Sequence, residues 1–314
     1  MKALLSPASL KGVLSARQAA AALAQGVREV GGVAVELPVA DGGEGTAEVL
    51  ESSLGGEWRA AEVSDPLGRT ITARWLLLSD GRAVVEAAAA IGLPLLAPEE
   101  LDPLRASSRG LGELLAVALA SGPASVVVAL GGSATVDGGA GLREVVRELP
   151  VPAVVLYDVR TRLEDAARLF GPQKGASAAN VTVLERRLAG MDELAPYAEL
   201  PGSGAAGGLG AAFAALGAEL RPGAPAVLEL VGFDERLRAS DLVITGEGRL
   251  DVTTVEGKAP GEVARRAVAA GVPCVVFGGL VDIELDGAET VALSGDPKRA
   301  EADLVELGRR VAAR

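Results

Sequence analysis

The groups able to do chemistry in this chain are carboxylates and lysines set among glycines. Three acidic turns stand out: Ala40-Asp41-Gly42-Gly43-Glu44-Gly45, Asp137-Gly138-Gly139 and Gly246-Glu247-Gly248-Arg249-Leu250-Asp251. Three of only five lysines touch a glycine, as Lys11-Gly12, Lys174-Gly175 and Gly257-Lys258. The remaining basic residues are almost all arginine, so lysine is kept where the backbone turns sharply and a compact ammonium is useful. A further run, Gly131-Gly132-Ser133-Ala134-Thr135, can point backbone N–H groups at an anion. Any one of these turns could be a plain Asp/Gly turn; their recurrence carries the chemical reading. Carboxylates for a hard cation, cations and N–H groups for phosphate oxygens, and a base for an attacking hydroxyl are the parts of a phosphoryl-transfer site.

Composition narrows the chemistry further. The 314 residues contain no histidine, which removes the Ser-His-Asp triad and any histidine-ligated metal. Proton transfer falls to Asp, Glu, Lys or water, and a metal would be a hard ion on oxygen ligands, Mg²⁺ first. A net charge of −12 argues against nucleic acid or an anionic membrane surface as a partner. The single cysteine, Cys274, lies in an apolar run and reads as a small core residue. With no span-length apolar stretch and no signal-peptide core near residues 1–15, the expected compartment is the cytoplasm. Only 3% of residues are aromatic against 49% hydrophobic, so the core must be Ala, Val and Leu packed closely with 41 glycines.

The elements that must position these groups follow from periodicity. Strands are expected at 2–5 and 33–37, with helices at 16–30, capped by Ser15, and at 46–53. From 58 the texture changes: strands at 58–63, 70–78 and 83–87 are joined by Asp65-Pro66-Leu67-Gly68 and Ser79-Asp80-Gly81, which implies antiparallel hairpins. A helix at 110–120 leads into the Val-rich strand 125–130 that precedes Gly131. Another strand covers 151–157 and ends on Asp158; a helix covers 178–188, and a glycine-rich loop at 201–210 leads into a helix ending near 216. Strands at 241–245, 272–277 and 289–293 and helices at 260–270 and the C-terminus restore the opening texture. The expectation is an α/β protein: a flavodoxin-like five-stranded parallel sheet domain, residues 1–57 and 238–314, with a mixed α/β domain, 58–237, inserted in it. Ligands of such sheets sit beyond the carboxyl ends of the strands, where the loops 6–12, 41–46 and 246–258 fall.

Two tempting motifs fail on context. Gly202-Ser203-Gly204-Ala205-Ala206-Gly207 has the spacing of a dinucleotide fingerprint but follows no buried strand. No Walker A sequence exists, so a kinase here is not of the P-loop kind.

The blocks Ser6-Pro7-Ala8-Ser9-Leu10-Lys11-Gly12, PVADGGEGT, DPLGR, GGSAT-DGG, FGPQKGA, PGSGAAGGLG and GEGRLD--T--GKAP, in this order, resemble those of the bacterial glycerate kinase family and span nearly the whole chain. The resemblance implies ATP-dependent phosphorylation of D-glycerate with Mg²⁺, in a cleft between a flavodoxin-like domain and an inserted one. Residue type and place then put Lys11, Asp41, Asp158 and Asp251 among the catalytic groups. Lys11 would neutralise substrate carboxylate or the transferred phosphate. Asp41 and Asp251 would hold the metal or orient the hydroxyl. Substrate and nucleotide would meet Ser9, Gly42, Gly43, Glu44, Gly131, Gly132, Ser133, Thr135, Asp137, Lys174, Gly204, Gly207, Gly246, Glu247 and Lys258, the last at nucleotide phosphates. A homodimer is left open.

The chain departs from the family pattern at several positions. Ala8 replaces an aspartate, Val136 an asparagine, Thr161 the asparagine of an Asp-Val-x-Asn-Pro-Leu block, and Thr253 a glutamine; the segment between Gly141 and Val151 is shorter. These changes support an alternative reading, a catalytically impaired relative that serves as a nucleotide or hydroxy-acid binding module.

Overall fold

Short β-branched and leucine-rich runs form eleven strands in the computed structural model, which describes residues 1–314. In chain order they are β1 (Lys2–Leu5), β2 (Val33–Glu36), β3 (Gly56–Ser64), β4 (Thr70–Leu78), β5 (Arg82–Glu86) and β6 (Ser125–Ala129). The remainder are β7 (Ala153–Tyr157), β8 (Glu219–Pro222), β9 (Leu242–Leu250), β10 (Cys274–Val281) and β11 (Glu289–Ala292). The chain divides into two compact units, Met1–Asp41 with Glu48–Ser53 and Ala224–Arg314, and Gly42–Ala47 with Leu54–Gly223. No helix is long and apolar enough to cross a membrane.

The first unit carries a five-stranded sheet in the order β11-β10-β9-β1-β2, with every neighbouring pair parallel. This is the doubly wound arrangement expected from the sequence, two strands from the start of the chain completed by three from its end. Ser15 caps the helix Ala16–Glu29 in a reciprocal capping box with Gln18, fixing where that helix begins. Its outer neighbour is the C-terminal helix Ala300–Ala312. The two come to backbone contact: a Cβ on Gly26 would stand 1.9 Å from the Val305 carbonyl oxygen, and one on Gly308 2.3 Å from that of Leu23. Glycine at both positions lets Leu23, Val27, Leu304, Leu307 and Val311 close over Leu5, Ile244 and Phe277 as one core. Cys274 is buried on β10, and burial pushes its thiol up to about 12, as befits an inert core residue.

The second unit is built on a six-stranded sheet, β3-β4-β5-β6-β7-β8. The pairs β3–β4 and β4–β5 are antiparallel, as the hairpin turns require, and β5 to β8 run parallel. Trp75, Leu114, Val128, Val155 and Phe213 sit in its core, all essentially without solvent exposure.

Three local expectations need correction. Strand β9 does not end at Thr245: it runs on through Gly246-Glu247-Gly248-Arg249 to Leu250, paired with β10 as far as Val281. Glycines that read as turn residues instead serve close strand pairing, since a Cβ on Gly279 would lie 2.7 Å from the Gly248 carbonyl oxygen. Strand β8 and the helices Gly223–Leu230 and Phe233–Arg238 fall where no element was expected, in a stretch punctuated by Pro222, Gly223 and Pro225. Residues 224–237 also belong with the first unit: Arg266 bonds Asp234 at 3.1 Å and the Pro225 carbonyl at 3.3 Å. Finally, the glycine-rich loop opens directly into the helix Ala205–Ala215, with Ala206, Gly207 and Gly208 in the left-handed region before regular turns begin.

Candidate active site

In the first unit the candidate residues gather at the carboxyl ends of β1 and β9. The chain leaves β1 hugging its neighbour: the Ser6 N–H donates to the Ile244 carbonyl at 2.8 Å and Ala8 N–H to that of Gly246 at 2.9 Å. The loop then folds on itself through mutual bonds between Leu10 and Leu14, and Gly12, at φ +74°, makes the return. Lys11 sits exposed at the tip of this turn and forms no ion pair. Beside it on β9, Glu247 accepts from Thr254 Oγ1 at 2.8 Å and from Lys258 Nζ at 3.2 Å. Desolvation, with the charge of Asp41 adding to it, raises the Glu247 carboxyl above the usual range despite these donors. Asp251 caps the short helix Val252–Val255 through the Thr253 N–H at 2.9 Å. A hydrogen bond from the Thr253 hydroxyl is the main reason its carboxyl is lowered. Thr253, which departs from the family pattern, thus acts as partner to Asp251. Lys258 precedes the helix Ala259–Ala270 and lies 3.9 Å from Asp251 as well as against Glu247. Thr254 links the two acids, since its hydroxyl accepts from Asp251 N–H at 3.1 Å while donating to Glu247.

In the second unit a separate set forms at the ends of β6 and β7. Gly131 N–H donates to the Gly42 carbonyl at 3.3 Å, and a Cβ on Gly131 would lie 2.5 Å from the Gly43 Cα and 3.6 Å from Asp158 Oδ2. The turn that follows Gly43 is closed by Thr46, whose hydroxyl donates to the Gly43 carbonyl at 2.7 Å, and it leaves Glu44 exposed. Asp158 stands exposed at the end of β7. Lys174 is 3% exposed, and its ammonium donates to Ser133 Oγ at 3.1 Å and to the Thr135 carbonyl at 2.8 Å. Burial pulls this lysine down to about 7, although Asp137 and Asp158 act to raise it.

Several candidates have structural work instead of an open face. The Asp137 carboxylate takes four donors, Ser108 N–H and Oγ at 2.8 Å each, Gly139 N–H at 3.1 Å and Gly141 N–H at 3.2 Å. It locks the turn into the helix Ala140–Val145, with three of the four donors on Oδ2 and one on Oδ1. Gly204 N–H donates to the Thr161 carbonyl, and the Gly207 carbonyl accepts from Gly138 N–H. A Cβ on Gly207 would lie 2.2 Å from the Thr135 carbonyl oxygen, so this glycine is needed for packing between loops. Val136 is fully buried in the apolar core of this unit and faces no polar site. Within the Gly131–Thr135 run the Gly131 and Ala134 N–H groups are already taken, Ser133 Oγ accepts from Lys174, and Thr135 Oγ1 is buried without a hydrogen-bond partner. Thr253 and Thr254 stood outside the expected site set, Thr254 only as the threonine of the last block and Thr253 only as a departure from it, yet their hydroxyls bond Asp251 and Glu247.

For a hard divalent cation the donors on hand are oxygen only. No group of three or more acidic, histidine or cysteine side chains is assembled as a closed metal cage. Asp41 and Asp251 are the carboxylates that would suit the other mode, in which Mg²⁺ arrives with nucleotide phosphates and takes one or two carboxylates.

A flavodoxin-like sheet whose strand ends collect lysines, carboxylates and bare glycine backbone defines an α/β phosphotransferase. The comparisons with known proteins give that class its family. The family model described as "Glycerate kinase family" matches residues 3–147 and 146–295. "Glycerate 2-kinase" of Escherichia coli (strain K12) is 38% identical over 90% of this chain and 86% of its own length. "Glycerate kinase" of Bacillus subtilis (strain 168) is 37% identical over 90% and 85%. The crystal structure of a "putative glycerate kinase 2" from Salmonella typhimurium LT2 superposes with a TM-score of 0.88 at 34% identity, covering 100% of this chain and 97% of that one. The chain belongs to the glycerate kinase family.

Proposed function

We propose that this protein transfers the γ-phosphoryl group of ATP to a hydroxyl of D-glycerate. Membership of the family along almost the full chain, with Lys11, Asp41, Glu247, Asp251 and Lys258 all present in the first unit, carries this reading. As the glycerate oxygen bonds to the γ-phosphorus, the bond from that phosphorus to the bridging oxygen breaks and ADP leaves. The hydroxyl proton passes to a carboxylate. Glu247, held partly desolvated with a raised proton affinity, suits that task better than Asp251, whose carboxyl is lowered. Lys11, exposed and without a carboxylate partner, is available to an incoming anion. Lys258 is held ready by Glu247 and can swing to phosphate oxygens, exchanging one anionic partner for another. Mg²⁺ held by Asp41 and Asp251 would neutralise charge on the phosphates.

The impaired-module reading loses one of its supports: Val136 lies in an apolar core, so its side chain subtracts nothing from a polar site. The test is ADP release coupled to a reporter, with D-glycerate varied at saturating ATP and Mg²⁺. Saturable, glycerate-dependent turnover is expected; ATP binding by calorimetry with no turnover would leave only the binding module. Phosphorus NMR of the product assigns the 2- or the 3-hydroxyl.

A further inference from the structure

The first unit contains a cavity of about 370 Å³ that runs along the carboxyl ends of β1, β9, β10 and β11, and only part of it is accounted for by the groups above. One end holds the cations, Lys11 and Lys258, with Glu247 and Gly248 beneath them. The other end is apolar, made by Leu280, Leu293, Pro297 and Ala300, with Leu10 and Val13 along the side. Three glycines, Gly248, Gly279 and Gly295, are part of its lining, where they add backbone and no side chain. Leu280 is 54% exposed and Val13 38% exposed, an arrangement that leaves apolar surface in water at the lips of a cavity. The two acids at the apolar end are not loose: Asp303 accepts from the Ser294 N–H at 3.0 Å, and Asp296 caps the turn at Pro297 through Lys298 N–H.

We infer that this cavity takes the purine nucleoside of the phosphoryl donor, its base between Leu280, Leu293 and Pro297 and its phosphates directed to Lys258 and Lys11. The inference rests on the kinase reading above and adds which surface holds the donor. Its volume falls in the range of small-molecule sites, roughly 300–1,000 Å³. Glycerate, polar over almost its whole surface, cannot use the apolar end, whereas a flat aromatic base gains by covering exposed leucine and by lying on glycine backbone. A nucleotide is the ligand that is apolar at one end and anionic at the other, in the same sense as this cavity.

The test uses adenosine and ADP as probes, titrated by calorimetry into the full chain. Leu280→Glu, at an exposed position where the fold is not at risk, should weaken both adenosine and ADP at least tenfold. Lys258→Ala should weaken ADP by a similar factor and leave adenosine unchanged. Leu293→Trp, which fills the apolar end, should raise the KM for ATP without moving that for glycerate. Unaltered adenosine and ADP affinity in Leu280→Glu, or a raised KM for glycerate in its place, overturns the assignment. Wild-type protein that binds adenosine with the expected variant pattern yet shows no glycerate-dependent turnover would overturn the proposed reaction and leave this assignment standing. Failure of adenosine to bind at all, with turnover intact and unaffected by Leu293→Trp, would do the reverse.

Discussion

The Lys174 ammonium donates a 3.1 Å hydrogen bond to the Ser133 hydroxyl from a site with 3% exposure. Because the ammonium has only donors, Ser133 Oγ must act as acceptor here, and its own proton is left to be given elsewhere. Lys174 therefore decides the polarity of the loop after β6 while itself remaining out of solvent.

Stability should reveal that lysine through its pH dependence. In the unfolded chain it keeps its proton up to its ordinary value of 10.5, whereas in the folded protein it releases it near 7. Between those values the unfolded state binds more protons, so this group makes stability rise with pH; below the window both states are protonated and the cost of burying the charge is fully present. Urea unfolding from about pH 6 to about pH 9 should show this rise in the wild type. Lys174→Met should remove that increment. A variant with the wild-type slope would show that another group is responsible.

Asp137→Ala should cost about 2–4 kcal/mol, because four donors lose their acceptor inside the protein. Asp137→Asn, which keeps one carbonyl oxygen, should fall between. Denaturant midpoints measure both. An unchanged midpoint together with lost activity would return Asp137 to the ligand set.

Val136→Asn, the residue the family pattern has at this position, should lower stability by about 1–3 kcal/mol, since an amide would be placed among apolar side chains with no exposure. Turnover at a temperature well below unfolding should not improve. A gain in kcat on this substitution would mean that the position reaches the reacting groups after all.

Lys11→Ala is expected to behave in the opposite way. The side chain is exposed and unpaired, so the urea midpoint should stay put while kcat/KM falls by roughly a hundredfold, the size of effect seen when one charge-stabilising group is removed. Full turnover in this variant would remove the central cation from the proposed site.

Much of the architecture was legible before any coordinates. Alternating texture, with parallel-type strands at both ends of the chain and hairpin turns between, is enough to deduce a five-stranded sheet interrupted by an insert, since crossover connections and two-residue-period patterns leave few alternatives. The order of the acidic and lysine blocks likewise pointed to phosphoryl transfer and to the family. Glycine was the main source of error. In Gly246-Glu247-Gly248 it resembles a turn, yet there it lets β9 and β10 run on together; in Gly207 it resembles a phosphate loop, yet it makes room for the Thr135 carbonyl. A glycine in sequence signals only that a Cβ is unwelcome, and whether backbone, helix or ligand excludes it depends on what lies opposite.

The recurring acidic blocks divide for the same reason. Asp41, Asp137 and Asp251 look alike along the chain, each within a few residues of glycine. Only the fold brings Ser108, distant in sequence, onto Asp137, while burial at the end of β9 raises Glu247 and the Thr253 hydroxyl lowers Asp251. Residue type and spacing determine which chemistry the opening blocks could perform. Long-range packing decides which carboxylates are enclosed, because the Ser108 donors on Asp137 and the desolvation of Glu247 come from segments that only meet when the chain is folded.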